Sequence, residues 1–398
     1  MKKILAVNSG SSSFKYKLFA YPEEKVIASG MADSVGLSNS VFKMKLADGT
    51  TYEEKKDIPN QEAAVQKLLD WLKKYKVISD LSELGGIGHR VVAGGEEFKD
   101  STIITQDNIW KIYDMSDYAP LHNAAEADGI YAFMKVLPDV PEVAVFDTAF
   151  HQTLDPVHYL YSVSYDYYLK YRARKYGAHG TSVRYVVKRA AELLKKPVED
   201  LKMIVCHLGS GASVTAVKDG KSFDTSMGFS PVAGLTMSTR SGDIDPSVVQ
   251  FIMKKTKITK FDDAINLLNN DSGLAGISGV SPDMREIRAE AEKGNRRAQL
   301  ALDIFINRIV RYIGEYFVEM GGADVLIFTA GIGENEVPIR KAIMEQLEKP
   351  LGLIMDEKEN AVNGEKIITK PNSKITAMIV PTNEELMIAR DVVRLTER

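Results

Sequence analysis

Arg90 in GIGHRVVAGG, Arg240 in MSTRSGDIDP and His179 in YGAHGTS are positive charges set among glycines and apolar residues. A solvated surface charge needs no such setting. A planar guanidinium held between small residues suits carboxylate or phosphoryl oxygens, and a buried ion pair is the alternative for each. Two such cations in one cleft would serve phosphoryl transfer, where catalysis is mostly positioning and charge stabilisation.

Two runs of small residues could hold the phosphates. NSGSSSFK (8–15) follows an apolar strand, yet it lacks the G-x-x-x-x-G-K-[ST] pattern and no helix follows it. Small residues let backbone N–H groups approach a phosphate, hydroxyls such as Ser11 and Ser13 add donors, and Lys15 adds charge. An ordinary Ser-rich hairpin turn explains the run equally well. Its twin, HLGSGAS (207–213), favours the phosphate reading, because two such turns could grip a polyphosphate from both sides. In FTAGIGENE (328–336), Gly331 and Gly333 offer a flat backbone surface for a nucleoside, or simply a turn into a helix after Pro338.

Carboxylates at strand ends are the metal candidates: Asp147 closes VAVF, and Glu384 lies where a strand meets the last helix. Asn8 could add an oxygen. Mg²⁺ keeps several waters and takes one or two protein carboxylates, so such a site leaves no regular spacing. For Glu384 the competing explanation is a helix capping box made by Thr382 and Glu385. None of the six histidines shows a zinc spacing. His89 and His158 read as structural, and His151 stays open. Cys206, the sole cysteine, sits inside MIVCHL as a buried thiol; a chain without disulfides suits a reducing cytoplasm.

The elements that must position these groups follow from periodicity. Ile4–Val7 and the alternating Phe14, Tyr16 and Leu18 predict a hairpin; residues 60–77 predict a helix; residues 121–138 predict a helix capped by Asn123. Residues 203–226 read as strand, small-residue turn, strand, Asp-Gly turn, strand. Setting Gly10-Ser11 on Gly209-Ser210 aligns the two hairpins without gaps and puts Asn8 on His207. GIGHRVVAGGEE (86–97) weakly echoes VLIFTAGIGENE (325–336). Two such units half a chain apart predict duplicated α/β domains facing each other across a cleft, as 398 residues allow. The net charge of −3 gives no support for nucleic-acid or membrane partners, and no apolar stretch reaches 18 residues.

The chain resembles the acetate kinases, within the sugar-kinase, heat-shock-chaperone and actin superfamily. The carriers are VNSGSSSFKY, APLHN (119–123), VFDTAFH (145–151), YGAHGTS, HLGSGAS, MSTRSGDIDP, AGIGENE and PTNEE (381–385). The resemblance implies duplicated ribonuclease H-like (actin-like ATPase) domains with mixed sheets: an acyl-side domain over 1–150 plus helix 385–398, and a nucleotide domain over 151–384. It implies reversible transfer between ATP and acetate, giving acetyl phosphate and ADP, with Mg²⁺ (or Mn²⁺) held by Asn8 and Glu384. Arg90 would bind the carboxylate, with Val92, Leu121 and Pro231 walling the methyl pocket. Arg240, His179 and His122 would face the transferring group. Lys15, Ser11, Ser13, His207, Leu208, Gly209, Ser210, Gly211, Asp283, Met284, Arg285, Gly331, Ile332, Gly333, Glu334 and Asn335 would hold ATP. A carboxylate acceptor is already ionised near neutrality, so Asp147 is expected to orient Arg90 or the metal rather than abstract a proton. A cytoplasmic homodimer is the family habit. Ala178, Val183 and Ser238 depart from the usual pattern, and Ala178 puts strict acetate preference in doubt. A propionate or butyrate kinase is the nearest alternative; a nucleotide-switch ATPase, which needs no acceptor site, is the other.

Overall fold

The computed structural model describes residues 2–119 and 122–397. It contains two compact units, Met1–Phe150 with Asn383–Arg398, and His151–Thr382.

In the first unit, β1 (Lys2–Ser9), β2 (Phe14–Tyr21), β3 (Lys25–Asp33), β4 (Val41–Leu46), β5 (Thr51–Lys55), β6 (Leu84–Val91), β7 (Thr102–Ile104) and β8 (Glu142–Phe146) form one sheet in the order β5-β4-β3-β2-β1-β6-β8-β7. The hairpin is antiparallel, while β1, β6 and β8 are parallel. Phe14, Tyr16 and Leu18 are buried as their alternation predicts. The Gln61–Lys74 helix is capped by the Asn60 side chain and packs its apolar stripe on the sheet. The C-terminal Glu384–Thr396 helix lies over β1 and β6. The β6 glycines make room for it: a Cβ on Gly88 would come within 2.3 Å of Ile388, and one on Gly86 within 2.5 Å of Val392.

The interior of this unit also holds an ionisable pair, His89 Nε2 and Glu142 Oε2, 2.6 Å apart and both 2 % exposed at the side chain. Burial pushes the Glu142 carboxyl well above its ordinary 4.5 and the His89 imidazole from 6.5 down to about 3. The folded pair therefore carries one proton, on the carboxyl. The unfolded chain binds two protons there below 4.5, one between 4.5 and 6.5 and none above 6.5. The pair's contribution to stability is thus level between those values and falls away on either side. Glu142→Gln removes the alkaline loss. Its stability relative to wild type is expected to improve as the pH rises above 4.5, where the unfolded carboxyl loses its proton, by up to about 1.4 kcal/mol per pH unit. Thermal melts across that range check it, and a constant difference would refute it.

In the second unit, β9 (Met203–Leu208), β10 (Ala212–Lys218), β11 (Lys221–Thr225), β12 (Val325–Thr329), β13 (Lys366–Ile367) and β14 (Thr376–Ile379) form a sheet in the order β11-β10-β9-β12-β14-β13. β9 is buried along its whole length, as a central strand covered on both faces must be. Asp219 and Gly220, at φ 54° and 70°, supply the left-handed pair that turns β10 into β11. The 24-residue helix Arg296–Glu319, capped by Asn295, buries Ala298, Ala301, Leu302, Phe305, Ile309 and Ile313 against this sheet.

The two sheets share a core order. β3-β2-β1-β6-β8 and β11-β10-β9-β12-β14 each set an antiparallel meander beside two parallel strands. Asn8 and His207 occupy equivalent places near the ends of β1 and β9, and the weaker echo falls on the equivalent strands β6 and β12. This is the duplicated ribonuclease H-like fold.

Candidate active site

Open sheets with parallel strands present functional groups beyond the strands' carboxyl ends. In the first unit that edge holds Asn8, Arg90 and Asp147, on or just after β1, β6 and β8. Arg90 donates to Asp147 Oδ2 from Nε (3.0 Å) and from Nη2 (2.6 Å). Its Nε also lies 3.8 Å from Glu384 Oε2. One arginine thus serves two carboxylates, and the Asp147 charge holds it more firmly protonated. Burial pushes Glu384 up to about 7 against the pull of Arg90, and Glu126 up to about 7 likewise. Asp147, Glu384 and Glu126 thus act on a single arginine. Asn8 and Glu384, the residues expected to hold a metal, offer oxygen donors, the kind that a hard divalent ion takes.

The helix caps differ from expectation. Asn383, not Thr382, caps the last helix by accepting from Leu386 N–H, so the capping box does not account for Glu384. The 123–136 helix begins after His122, and the Asn123 side chain is spent on the backbone of Ala93. Val92 is buried in a small cluster with Ala93 and Ala119. Leu121 lies outside the described residues.

In the second unit, His179 stands at φ 61° before the Gly180–Leu194 helix. Its Nδ1 is 2.9 Å from Ser213 Oγ, and its ring stacks on His207 with centroids 4.0 Å apart. Ser182 Oγ in turn joins His207 Nδ1 (2.9 Å) to Thr382 Oγ1 (2.7 Å). His179 Nε2 is thereby directed over Gly211. A Cβ on Gly211 would sit 3.3 Å from that nitrogen and 3.4 Å from Arg240 Nη1, so an imidazole and a guanidinium meet above one glycine. Arg240 has no carboxylate partner among the described residues; its Nη1 donates to the Met237 sulfur, at 3.8 Å. Burial lowers its pKa.

Beside these groups lies a cavity of about 530 Å³ lined by Gly209, Ser210, Ser238, Pro282, Asp283, Met284, Arg285, Gly331, Ile332, Asn335 and Glu336. That volume suits a nucleotide. Its lining includes eight of the expected nucleotide contacts. Three others lie beneath it. Leu208 is fully buried in the core; a Cβ on Gly333 would come within 3.3 Å of the Phe328 backbone and 3.5 Å of the Cys206 carbonyl oxygen. Glu334 Oε1 accepts from Ala330 N–H (2.8 Å) and Thr382 N–H (3.1 Å), which fixes Ala330 at φ 64°. Ser11, Ser13 and Lys15 lie on the first hairpin, in the other unit, and Pro231 is half-buried in the second. His151 is structural: Nε2–H donates to Ala178 O at 2.9 Å, so Nδ1 accepts from Ser222 at 2.8 Å. Ser182, Ser213 and Thr382 were missed as orienting partners, since only the folded turns bring them to the histidines.

Fold and site together define a class, the phosphotransferases built on a duplicated ribonuclease H-like fold. The chain matches the Acetokinase family over residues 3–390. It is 54% identical over 399 residues to an acetate kinase of Fructilactobacillus sanfranciscensis, with all of both chains covered. Among solved structures it is similar to Porphyromonas gingivalis acetate kinase, with a TM-score of 0.94 and 43% identity over 99% of this chain and 100% of that one. A propionate kinase from Francisella tularensis follows, at 0.91 and 40% identity over 98% and 99%. The chain belongs to the Acetokinase family.

Proposed function

We propose that this chain transfers the γ-phosphoryl group of ATP to acetate, reversibly, giving acetyl phosphate and ADP by direct in-line displacement. The observation that carries the reading is the pair of groups over Gly211, His179 Nε2 and an arginine that has no carboxylate partner among the described residues, beside a nucleotide-sized cavity. The full-length relatedness to acetate kinases supports it.

An acetate oxygen forms the new bond to the γ-phosphorus as the bond to the ADP oxygen breaks. Charge gathers on the equatorial oxygens, where Arg240 and His179 are placed to meet it, with His122 a further contact. Arg90 binds the acetate carboxylate, and Val92, Leu121 and Pro231 wall its methyl group. Asp147 orients Arg90; no proton leaves the acceptor, so no base is required. Asn8 and Glu384 would hold Mg²⁺, replaceable by Mn²⁺, which would supply charge neutralisation at the nucleotide phosphates. Lys15, Ser11, Ser13 and the cavity lining hold the nucleotide, supported by His207 and Gly211.

Acyl hydroxamate should accumulate when the protein is given ATP, Mg²⁺, acetate and hydroxylamine; none above background would end this reading. Propionate should react more slowly, since one methylene is worth only ~1–3 kcal/mol of discrimination. No helix of the described residues is long and apolar enough to cross a membrane, in keeping with a cytoplasmic enzyme. The exposed Val157, Val163, Tyr165, Tyr167 and Tyr171 favour a homodimer, for which light scattering should give twice the 44.1 kDa chain mass.

A further inference from the structure

β6 ends at Val91, one residue past Arg90, and the chain runs on through Val92, where its backbone is held almost wholly by side chains. Val92 N–H donates to Glu126 Oε2 at 2.9 Å, Ala93 N–H to Asn123 Oδ1 at 3.0 Å, and Gly94 N–H to Thr148 Oγ1 at 3.0 Å. Asn123 Nδ2 returns a bond to Ala93 O at 2.7 Å, and Asp147 N–H donates to Val91 O at 2.9 Å. Asn123 and Glu126 are three residues apart, hence on one face of their helix, and are 0 % and 3 % exposed. A buried amide must find an acceptor, yet for Val92 and Ala93 the acceptors come from a helix instead of a neighbouring strand.

We propose that Glu126, backed by Asn123, is the positioning residue of the acyl pocket: by gripping the Val92 amide it fixes the distance between Arg90 and the Val92 side chain, and so the size of acyl group that fits. The proposal rests on Arg90 and Val92 being the acetate-binding residues.

Val92 lies only two residues beyond Arg90, so any slack in its amide moves the pocket wall relative to the carboxylate anchor. The groups facing Glu126 are Arg90, which favours its ionised form, and Asp147, which disfavours it. Burial leaves the carboxyl near 7, and an oxygen of either form accepts the Val92 N–H. Reach, not charge, is the property required.

Glu126→Asp keeps the carboxyl but shortens its reach by one methylene; Glu126→Gln keeps the reach without the charge. With Glu126→Asp, the KM for acetate should rise roughly tenfold, the scale of one lost buried hydrogen bond. The ratio of kcat/KM for propionate over acetate should shift about threefold or more, as a single-methylene discrimination allows. Its KM for ATP serves as the control and should change little, while its melting temperature should fall, because the Val92 amide is left buried and unpaired. Glu126→Gln should stay close to wild type in KM and selectivity. Equal effects of the two variants, or an unchanged acetate KM and selectivity in Glu126→Asp, would overturn the proposal. Failure of the wild-type protein to turn over acetate is a different result, and would remove the functional reading beneath it.

Discussion

Arg240→Ala is expected to lower kcat by about three orders of magnitude, the scale on which a transition-state arginine acts in phosphoryl transfer. The KM for ATP should change by no more than a few-fold, because the cavity lining is left intact. The variant should also melt no lower than wild type. Arg240 has no carboxylate partner among the described residues, so its removal orphans no anion and relieves a partly desolvated charge. Arg240→Lys should recover only part of the rate, since a point charge cannot span two phosphoryl oxygens as the planar fork does. Steady-state kinetics with thermal melts check both. A kcat within tenfold of wild type would show that Arg240 does not face the transferring group.

What could be read before folding depended on the range of the interactions involved. The two hairpins were legible because alternation and turn chemistry are local: Phe14, Tyr16 and Leu18 are buried, and Asp219-Gly220 turns as its sequence demands. The duplication was legible because the same local signals recur in the same order. The caps were misplaced by one residue at both decisive helices. In each case a polar side chain was drawn elsewhere by a tertiary partner: Asn123 to Ala93, and Thr382 to Ser182. The β6 glycines read as punctuation, whereas Gly86 and Gly88 are the floor on which Ile388 and Val392 rest, three hundred residues or more later. That contact carries Glu384 to the Arg90 edge of the sheet. Glu126 drew no attention at all. A carboxylate three residues after a buried asparagine, on the apolar face of a helix, was nevertheless the signal that could have found it.

Asp147→Asn is expected to lower kcat/KM for acetate by about a hundredfold, near the upper end of what a buried, charge-assisted hydrogen bond contributes. Asp147 Oδ2 accepts two bonds from Arg90, and the side chain is 2 % exposed. An asparagine keeps the shape of that contact but loses its charge. Among the described residues Arg90 then has only the more distant Glu384 carboxylate at 3.8 Å to hold it, and it should turn from the pose proposed to bind acetate. The loss should fall mainly on the acetate KM. The pH profile separates this role from proton abstraction. An acetate carboxyl ionises near 4–5 and carries no proton to remove at neutral pH, so the acidic limb belongs to the substrate and should persist in Asp147→Asn. A catalytic base would act differently: its loss would cut kcat by about 10²–10⁴ and abolish the acidic limb together. Full turnover by Asp147→Asn with an unchanged metal requirement would dismiss both roles and leave the carboxylate a purely structural partner of Arg90.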